Sequence, residues 1–307
     1  VSFESPPLLS RLDRWLKRQY PGLTQGTIEK LLRQGKIRVN DQKATAGMRV
    51  GSEDAISVPD QFLETLTQTK APLPTYQKED IDFLESLIVW EDDDLCIINK
   101  PAGLATQGGT KTIRHLDGLL QAYGKGKPFR LVHRLDRDTT GVLVVAKTLE
   151  AAIYLGNAFK KNQIKKTYWA IVHKVPDLKQ ATIDAPIIKD ENGNRENREK
   201  MIVDFDAGKP SKTNYRVLAP LKDNCSWIEF KPETGRTHQL RVHASYMGHP
   251  IVGDKKYGSE EDSPLYLHAR QITIPTFLGK VLTFVAPPPH HMEERLKASK
   301  IDWEKYA

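Results

Sequence analysis

The apolar pattern of this chain changes across a polar stretch at residues 60–80, and that change limits the fold to two units of different construction. Before it, Leu12, Trp15, Leu16 and Tyr20 recur at helical spacing, with Arg11, Arg14, Lys17 and Arg18 between them. A second helix is predicted through Ile28, Leu31 and Leu32, capped by Thr24 and stopped at Gly35. Ile37, Val39 and the turn Asn40-Asp41 then read as half a hairpin, and 47–58 as further short strands. Residues 60–80 carry Pro72 and Pro74 and little periodicity, which suits a linker.

Beyond the linker, strands dominate. Leu87 to Trp90 and Leu95 to Asn99 flank the acidic turn 91–94. Further strands are predicted at Gly141 to Ala146, Lys166 to His173, Ala181 to Ile188, Thr213 to Ala219, Ser226 to Lys231, Leu265 to Arg270 and Lys280 to Val285. Helices are expected at Thr112 to Tyr123, Leu149 to Lys161 and His238 to Met247. The prediction is an α+β protein: a small domain at 1–59, a linker at 60–80, and at 81–307 a mostly antiparallel mixed sheet flanked by helices. The strongly polar 190–200 segment reads as a hairpin tip.

Charge narrows the partners. Of the net +7, the stretch Leu8 to Pro59 contributes +5, from ten Lys/Arg against five Asp/Glu. A localised basic surface favours a polyanion such as RNA, although charge alone leaves a solvated face equally open. Cys96 and Cys225 lie far apart with no CxxC or Cys/His spacing, so neither a zinc site nor a disulfide framework is expected. His238 and His243, and the adjacent His290 and His291, form no metal-binding pattern, and no metal is expected. No apolar run is long enough to span a bilayer, and no secretory signal is present. No phosphate-binding glycine loop or GxGxxG is found. The chain starts at Val1, which leaves a preceding leader open.

The segment richest in chemistry is His133-Arg134-Leu135-Asp136-Arg137-Asp138-Thr139-Thr140-Gly141, which runs directly into the apolar strand Val142 to Ala146. A loop entering a sheet edge holds side chains rigidly at a cleft mouth. Here two carboxylates sit among His133, Arg134 and Arg137, and neighbouring guanidinium groups would keep a carboxylate ionised, as a nucleophile or general base requires. Asp138 reads as a turn residue accepting from the Thr139 and Thr140 backbone. On local physics alone, Asp136 could be structural or catalytic. In the strand at 166–173, Tyr168, Ala170 and Val172 share one face, so Tyr168 could equally be a core residue.

The HRLDRDTTG segment resembles the catalytic signature of the RluA family of pseudouridine synthases. Val89 to Gly103, ending Asn99-Lys100-Pro101-Ala102-Gly103, resembles that family's first motif. The stretch 232–243 (PETGRTHQLRVH), followed by 248–254 (GHPIVGD), resembles its third. The basic ααβ region, with Gly35-Lys36-Ile37-Arg38-Val39-Asn40 after its second helix, resembles an S4-type RNA-binding domain.

Together these cover nearly the whole chain and point to the branch that includes bacterial large-subunit ribosomal RNA enzymes. The resemblance implies an isomerase with the pseudouridine synthase fold that needs no cofactor. It implies Asp136 as the essential carboxylate, Arg241 as its basic partner and Tyr168 stacking on the target base. Arg134 would help fill the space of a flipped nucleotide. Arg11, Arg14, Lys17, Arg18, Arg33, Lys36 and Arg38 would contact RNA phosphates. Lys100 and Arg236 are candidates for RNA backbone contacts but read better as scaffold, with Pro101, Gly103 and Gly235 shaping turns.

Two features depart from the family pattern: Thr140 stands where serine is common, and the 190–200 loop carries no signature. The expected protein is a bacterial-type cytoplasmic monomer, with an organellar location left open. The competing readings are an RNA-binding or ribosome-assembly protein with a non-catalytic synthase domain, and a synthase acting on transfer RNA.

Overall fold

A computed structural model of the chain describes residues 2–3, 10–20, 23, 25–51, 53–58, 76–108, 114–124, 127, 129–191, 200–277 and 279–306. The chain divides into two compact units, 1–75 and 76–307.

In the first unit, the helices Leu12–Gln19 and Gln25–Arg33 form where the apolar spacing requires them. Leu12, Trp15, Leu16 and Tyr20 are buried against Ile28, Leu31, Leu32, Ile37, Val39 and Ile56. The second helix ends in a Schellman motif: Gly35 sits at φ +67°, its N–H bonds to the Leu32 carbonyl, and Lys36 N–H bonds to Leu31. Asn40 and Asp41, both at positive φ, make the tight turn between Arg38–Val39 and Gln42–Lys43. Arg11 is not on the first helix as expected. It lies in the strand Ser10–Arg11, caps the helix with extended backbone, and pairs with Asp13. Thr24, expected as a cap, lies outside the described residues.

The second unit is α+β, with a ten-stranded mixed, mostly antiparallel sheet among its described residues. Eight strands run in the order Gln180–Asp184, Lys212–Leu221, Cys225–Pro232, Lys165–His173, Leu267–Phe277, Thr140–Ala146, Leu95–Lys100, Ile88–Glu91. Lys280–Val285 pairs with Leu267–Phe277, and Arg130–Leu131 with Thr140–Ala146. The two halves of the sheet meet along one short parallel join, Thr140 opposite His268 and Gly141 opposite Ala269. Three large apolar clusters, and a small one around Ile187, Val242 and Tyr257, fill the unit among its described residues. One lies under each half-sheet, around Trp169, Trp227 and Phe230 and around Leu95, Val142 and Leu155. The third packs Leu116, Leu119 and Leu120 against Leu143 and Val145.

Several elements differ from expectation for local reasons. The predicted strand Ala181 to Ile188 is two strands, Gln180–Asp184 and Ile187–Lys189, because Pro186 has no N–H and Ala185 N–H turns to the Ser211 carbonyl. The helix expected from Thr112 starts at Leu116, where His115 Nδ1 accepts from Gly118 N–H and caps it. A helix at Lys78–Leu87 begins inside the stretch read as linker, held by a reciprocal cap between Gln77 and Asp80. A C-terminal helix, His290–Ala298, was not expected. The polar 190–200 segment joins Ile187–Lys189 to Met201–Val203, a hairpin as expected, and residues 192–199 of it lie outside the described residues. Among the described residues no helix is long and apolar enough to cross a membrane.

Candidate functional site

The loop carrying Asp136 is held from three sides. Lys100, fully buried, points its ammonium at the carbonyls of Pro101, Leu104 and Arg137, at 2.8, 2.9 and 2.9 Å. Thr106 Oγ1 donates to the Leu135 carbonyl at 2.7 Å, and Thr139 N–H bonds to the Asp136 carbonyl. Burial pushes the Lys100 pKa down to about 8, against the opposing charges of Asp138 and Asp136. A side chain sealed in this way contacts no RNA backbone. Lys100 is a tie between two motifs, as its scaffold reading required.

The neighbouring charges behave differently from the local reading. Burial pushes the His133 pKa down to about 3, so its ring is neutral; Nε2 accepts from Val144 N–H and the ring stacks on Phe159. Arg137 pairs with Asp138 at 3.1 Å, so Asp138 is held by an ion pair rather than by the expected Thr139 and Thr140 N–H groups. Arg134 is exposed on the cavity rim.

The groups that approach Asp136 come from the third motif, about a hundred residues away. Arg241 Nη1 lies 3.6 Å from Asp136 Oδ2, and His238 Nε2 lies 3.8 Å from the same oxygen. Asp136 Oδ1 has no hydrogen-bond partner among the described residues.

Arg241 is itself anchored. Its Nε and Nη2 reach the two oxygens of buried Asp254 at 2.6 and 2.8 Å, and its guanidinium lies over the Tyr257 ring at 5.0 Å. Burial opposes the Arg241 charge, but the hydrogen bond and charge of Asp254, with Asp136, leave its pKa raised. The helix Gln239–Tyr246 that presents Arg241 is placed by Gln239. Its Oε1 accepts from Thr234 Oγ1 and Arg236 N–H, and its Nε2 donates to the Lys212 carbonyl.

Tyr168 follows a bulge between Thr167 and Tyr168 in the strand Lys165–His173. Burial, and then the charge of Asp136, raise its pKa, so it stays a neutral phenol. Asp136, Tyr168, Arg241, His238, Arg134 and Lys166 line one cavity of about 530 Å³.

The basic residues expected to meet RNA belong to the first unit. Arg14, Lys17, Arg33, Lys36 and Arg38 are exposed. Arg38 also donates to the Gly35 and Asp41 carbonyls, and Arg11 spends its charge on Asp13. The Arg18 side chain lies outside the described residues. Sequence reading missed two polar residues that shape the site, His238 in the cavity wall and Asp254 behind Arg241. Both lie within the motif stretches, but no local pattern marks which side chain turns inward.

Comparison with known proteins bears on the family. The family model described as RNA pseudouridylate synthase matches residues 94–246, and the S4 domain matches 10–56. "Ribosomal large subunit pseudouridine synthase C" of Rickettsia conorii is 42% identical over 302 residues, covering 94% of this chain and 97% of that one. The chain belongs to the RNA pseudouridylate synthase family. Its Vibrio cholerae relative, of the same name, is 34% identical, covering 93% of this chain and 92% of its own. Among solved structures, human RNA pseudouridylate synthase domain containing 4 superposes with a TM-score of 0.61 at 27% identity, covering 73% of this chain and 98% of that one. Human RNA pseudouridylate synthase domain containing 1 gives 0.56 at 33% identity, covering 66% and 83%. This synthase is an RNA-binding isomerase with the pseudouridine synthase fold and an N-terminal S4 domain.

Proposed function

We propose that this synthase converts specific uridines of large-subunit ribosomal RNA to pseudouridine, with Asp136 as the essential carboxylate. The observation that carries the assignment is the placing of Asp136 in the cavity wall. Oδ2 faces Arg241 at 3.6 Å, and Oδ1 has no hydrogen-bond partner among the described residues. Attack on the ribose and removal of a ribose proton both need such an oxygen. Tyr168, neutral and on the same wall, stacks on the base while it detaches, turns and rejoins through C5. Arg241 is the basic partner of Asp136, and Arg134 on the rim fills the place of the flipped nucleotide.

The ribosomal substrate is supported by the names of the Rickettsia and Vibrio relatives. In this reading residues 1–59 hold RNA through phosphate contacts from Arg14, Lys17, Arg18, Arg33, Lys36 and Arg38, with Arg11 weakened by Asp13. Residues 81–307 do the chemistry, and the enzyme works as a cytoplasmic monomer without a cofactor.

The test is to incubate ribosomal RNA with wild type and Asp136→Asn and map pseudouridine chemically. No modification is expected from the variant, and modification that survives ends the assignment. Mapping total RNA from a strain lacking the protein fixes the substrate: missing pseudouridines in transfer RNA alone would refute the ribosomal reading.

A further inference from the structure

His238 and Tyr257 have no role in the proposal above, yet their hydrogen bonds leave one consistent arrangement. Tyr257 is buried, and among the described residues its hydroxyl has two partners: Met201 N–H at 2.9 Å and His238 Nδ1 at 2.7 Å. A backbone N–H only donates, so the hydroxyl oxygen accepts from Met201. Its own proton then has His238 Nδ1 as its partner, because a buried hydroxyl hydrogen left unbonded is costly. A neutral imidazole that accepts at Nδ1 carries its hydrogen on Nε2. That nitrogen faces Asp136 Oδ2.

We propose that His238 is a positioning residue for Asp136: its Nε2–H orients the carboxylate, and Tyr257, itself fixed by the Met201 backbone, sets the tautomer that makes this possible. The inference rests on the assignment of Asp136 as the essential carboxylate. Its value to the site follows from charge. Arg241 carries one positive charge shared between Asp254 and Asp136, so it cannot neutralise both. At 3.8 Å the neutral Nε2–H acts on Oδ2 as an oriented dipole rather than through a hydrogen bond, and it adds no second cation, which would weaken the carboxylate as a base or nucleophile.

The charged groups acting on His238 are Asp136, Arg241, Lys256 and Asp254. Burial, the largest influence, favours the uncharged ring. Burial also pushes the Tyr257 pKa up to about 12, which keeps the hydroxyl a donor. Met201 opens the strand Met201–Val203, and Ile187, Val242 and Tyr257 pack together with Met201 beneath that hairpin. The strand pair Ile187–Lys189 and Met201–Val203 is thereby joined through two hydrogen bonds to His238, whose Nε2 lies 3.8 Å from the Asp136 carboxylate.

The test has two arms. The first reads the tautomer in the intact protein by ¹⁵N imidazole NMR on histidine-labelled chain, assigned with His238→Gln. The expected spectrum has the proton on Nε2 and an acceptor-type Nδ1; a proton on Nδ1 overturns the proposal whatever the activity. The second arm measures single-turnover pseudouridine formation on large-subunit ribosomal RNA transcribed in vitro. His238→Asn keeps a group only at the Nδ1 position, and asparagine accepts the left-handed backbone found here, φ +53°. His238→Gln places an amide nitrogen near the Nε2 position. His238→Asn should slow the rate about 10–100-fold with RNA affinity unchanged, and His238→Gln should recover most of it.

Tyr257→Phe should slow the rate less and move the acid limb of its pH profile to higher pH. Equal rates for the Asn and Gln variants overturn the role of His238, and an unmoved profile in Tyr257→Phe overturns that of Tyr257. If Asp136→Asn remains active, the catalytic assignment itself has failed, an outcome separate from these.

Discussion

Asp254 shows how a single buried charge can organise a site it never enters. It is 1% exposed and holds the Nε–Nη2 edge of the Arg241 guanidinium with both of its oxygens, leaving Nη1 to face Asp136. A buried pair of this kind adds little net stability over an apolar substitute, but removing one partner strands the other. Asp254→Ala is therefore expected to destabilise the protein by about 3–5 kcal/mol, measured by urea unfolding. It should also slow pseudouridine formation, because Arg241 would turn fully onto Asp136. A loss below about 1 kcal/mol, the level of an exposed ion pair, would contradict this account.

At this scale the sequence was partly legible. The motifs named Asp136, Tyr168 and Arg241, and those side chains do line one cavity. They could not reveal that Arg137 pairs with Asp138 or that Arg134 is exposed on the cavity rim, since side-chain direction in a loop depends on tertiary contacts. Nor could they mark Asp254 or His238. Arg241 and Asp254 are joined only when the turn after the helix folds back.

Among the elements, the strand Thr140–Ala146 is the most constrained. All seven of its residues are buried, and Gly141 takes φ +108° against the neighbouring strand. A Cβ there would overlap the Ala269 backbone. Gly141→Ala should cost more than about 3 kcal/mol in urea unfolding, from strain and the parting of two strands. A variant as stable as wild type would show that the join can open.

Thr140, where the family commonly has serine, uses the hydroxyl both residues share: Oγ1 meets His268 Nδ1 at 2.9 Å. Buried strands were legible because Val, Ile and Leu runs bounded by turn residues have few other solutions. The helix Lys78–Leu87 was not, because its apolar residues are sparse and its start lies in a stretch marked by prolines. The parallel join between Thr140–Ala146 and Leu267–Phe277 was invisible, because pairing across that sequence distance leaves no local pattern.

For the whole molecule, two conditions should separate the units. The first is pH. His268 is 1% exposed, its Nε2–H directed to the Ala286 carbonyl, and burial pushes its pKa down to about 4. The folded ring stays neutral where the unfolded one, titrating near 6.5, has taken a proton, so the unfolded state binds more protons between those values. Stability must fall as pH drops from about 6.5 towards 4. His268→Gln keeps a donor for Ala286 but cannot titrate, and should flatten that slope in thermal unfolding; an unchanged slope would remove His268 as a cause.

The second condition is salt. Deleting residues 1–59 should weaken RNA binding and flatten its dependence on salt, because phosphate contacts release counterions. Affinity measured over a salt series checks this, and an unchanged slope would refute the role of the basic unit. The 76–307 unit should still unfold cooperatively, since its apolar clusters draw on none of the deleted residues.

The short join in the middle of the large sheet bears on how the cleft can move. Asp136 hangs from one half-sheet, while Tyr168 and Arg241 belong to the other half's side of the fold. Two residue pairs tie the halves through their backbones, against six across the neighbouring pairing of Leu95–Lys100 with Thr140–Ala146. Torsion between the halves would concentrate at that seam, which the 3.6 Å gap from Arg241 to Asp136 spans like the mouth of a pair of pliers. If Asp136 acts as proposed, RNA gripping both halves would have leverage over this distance.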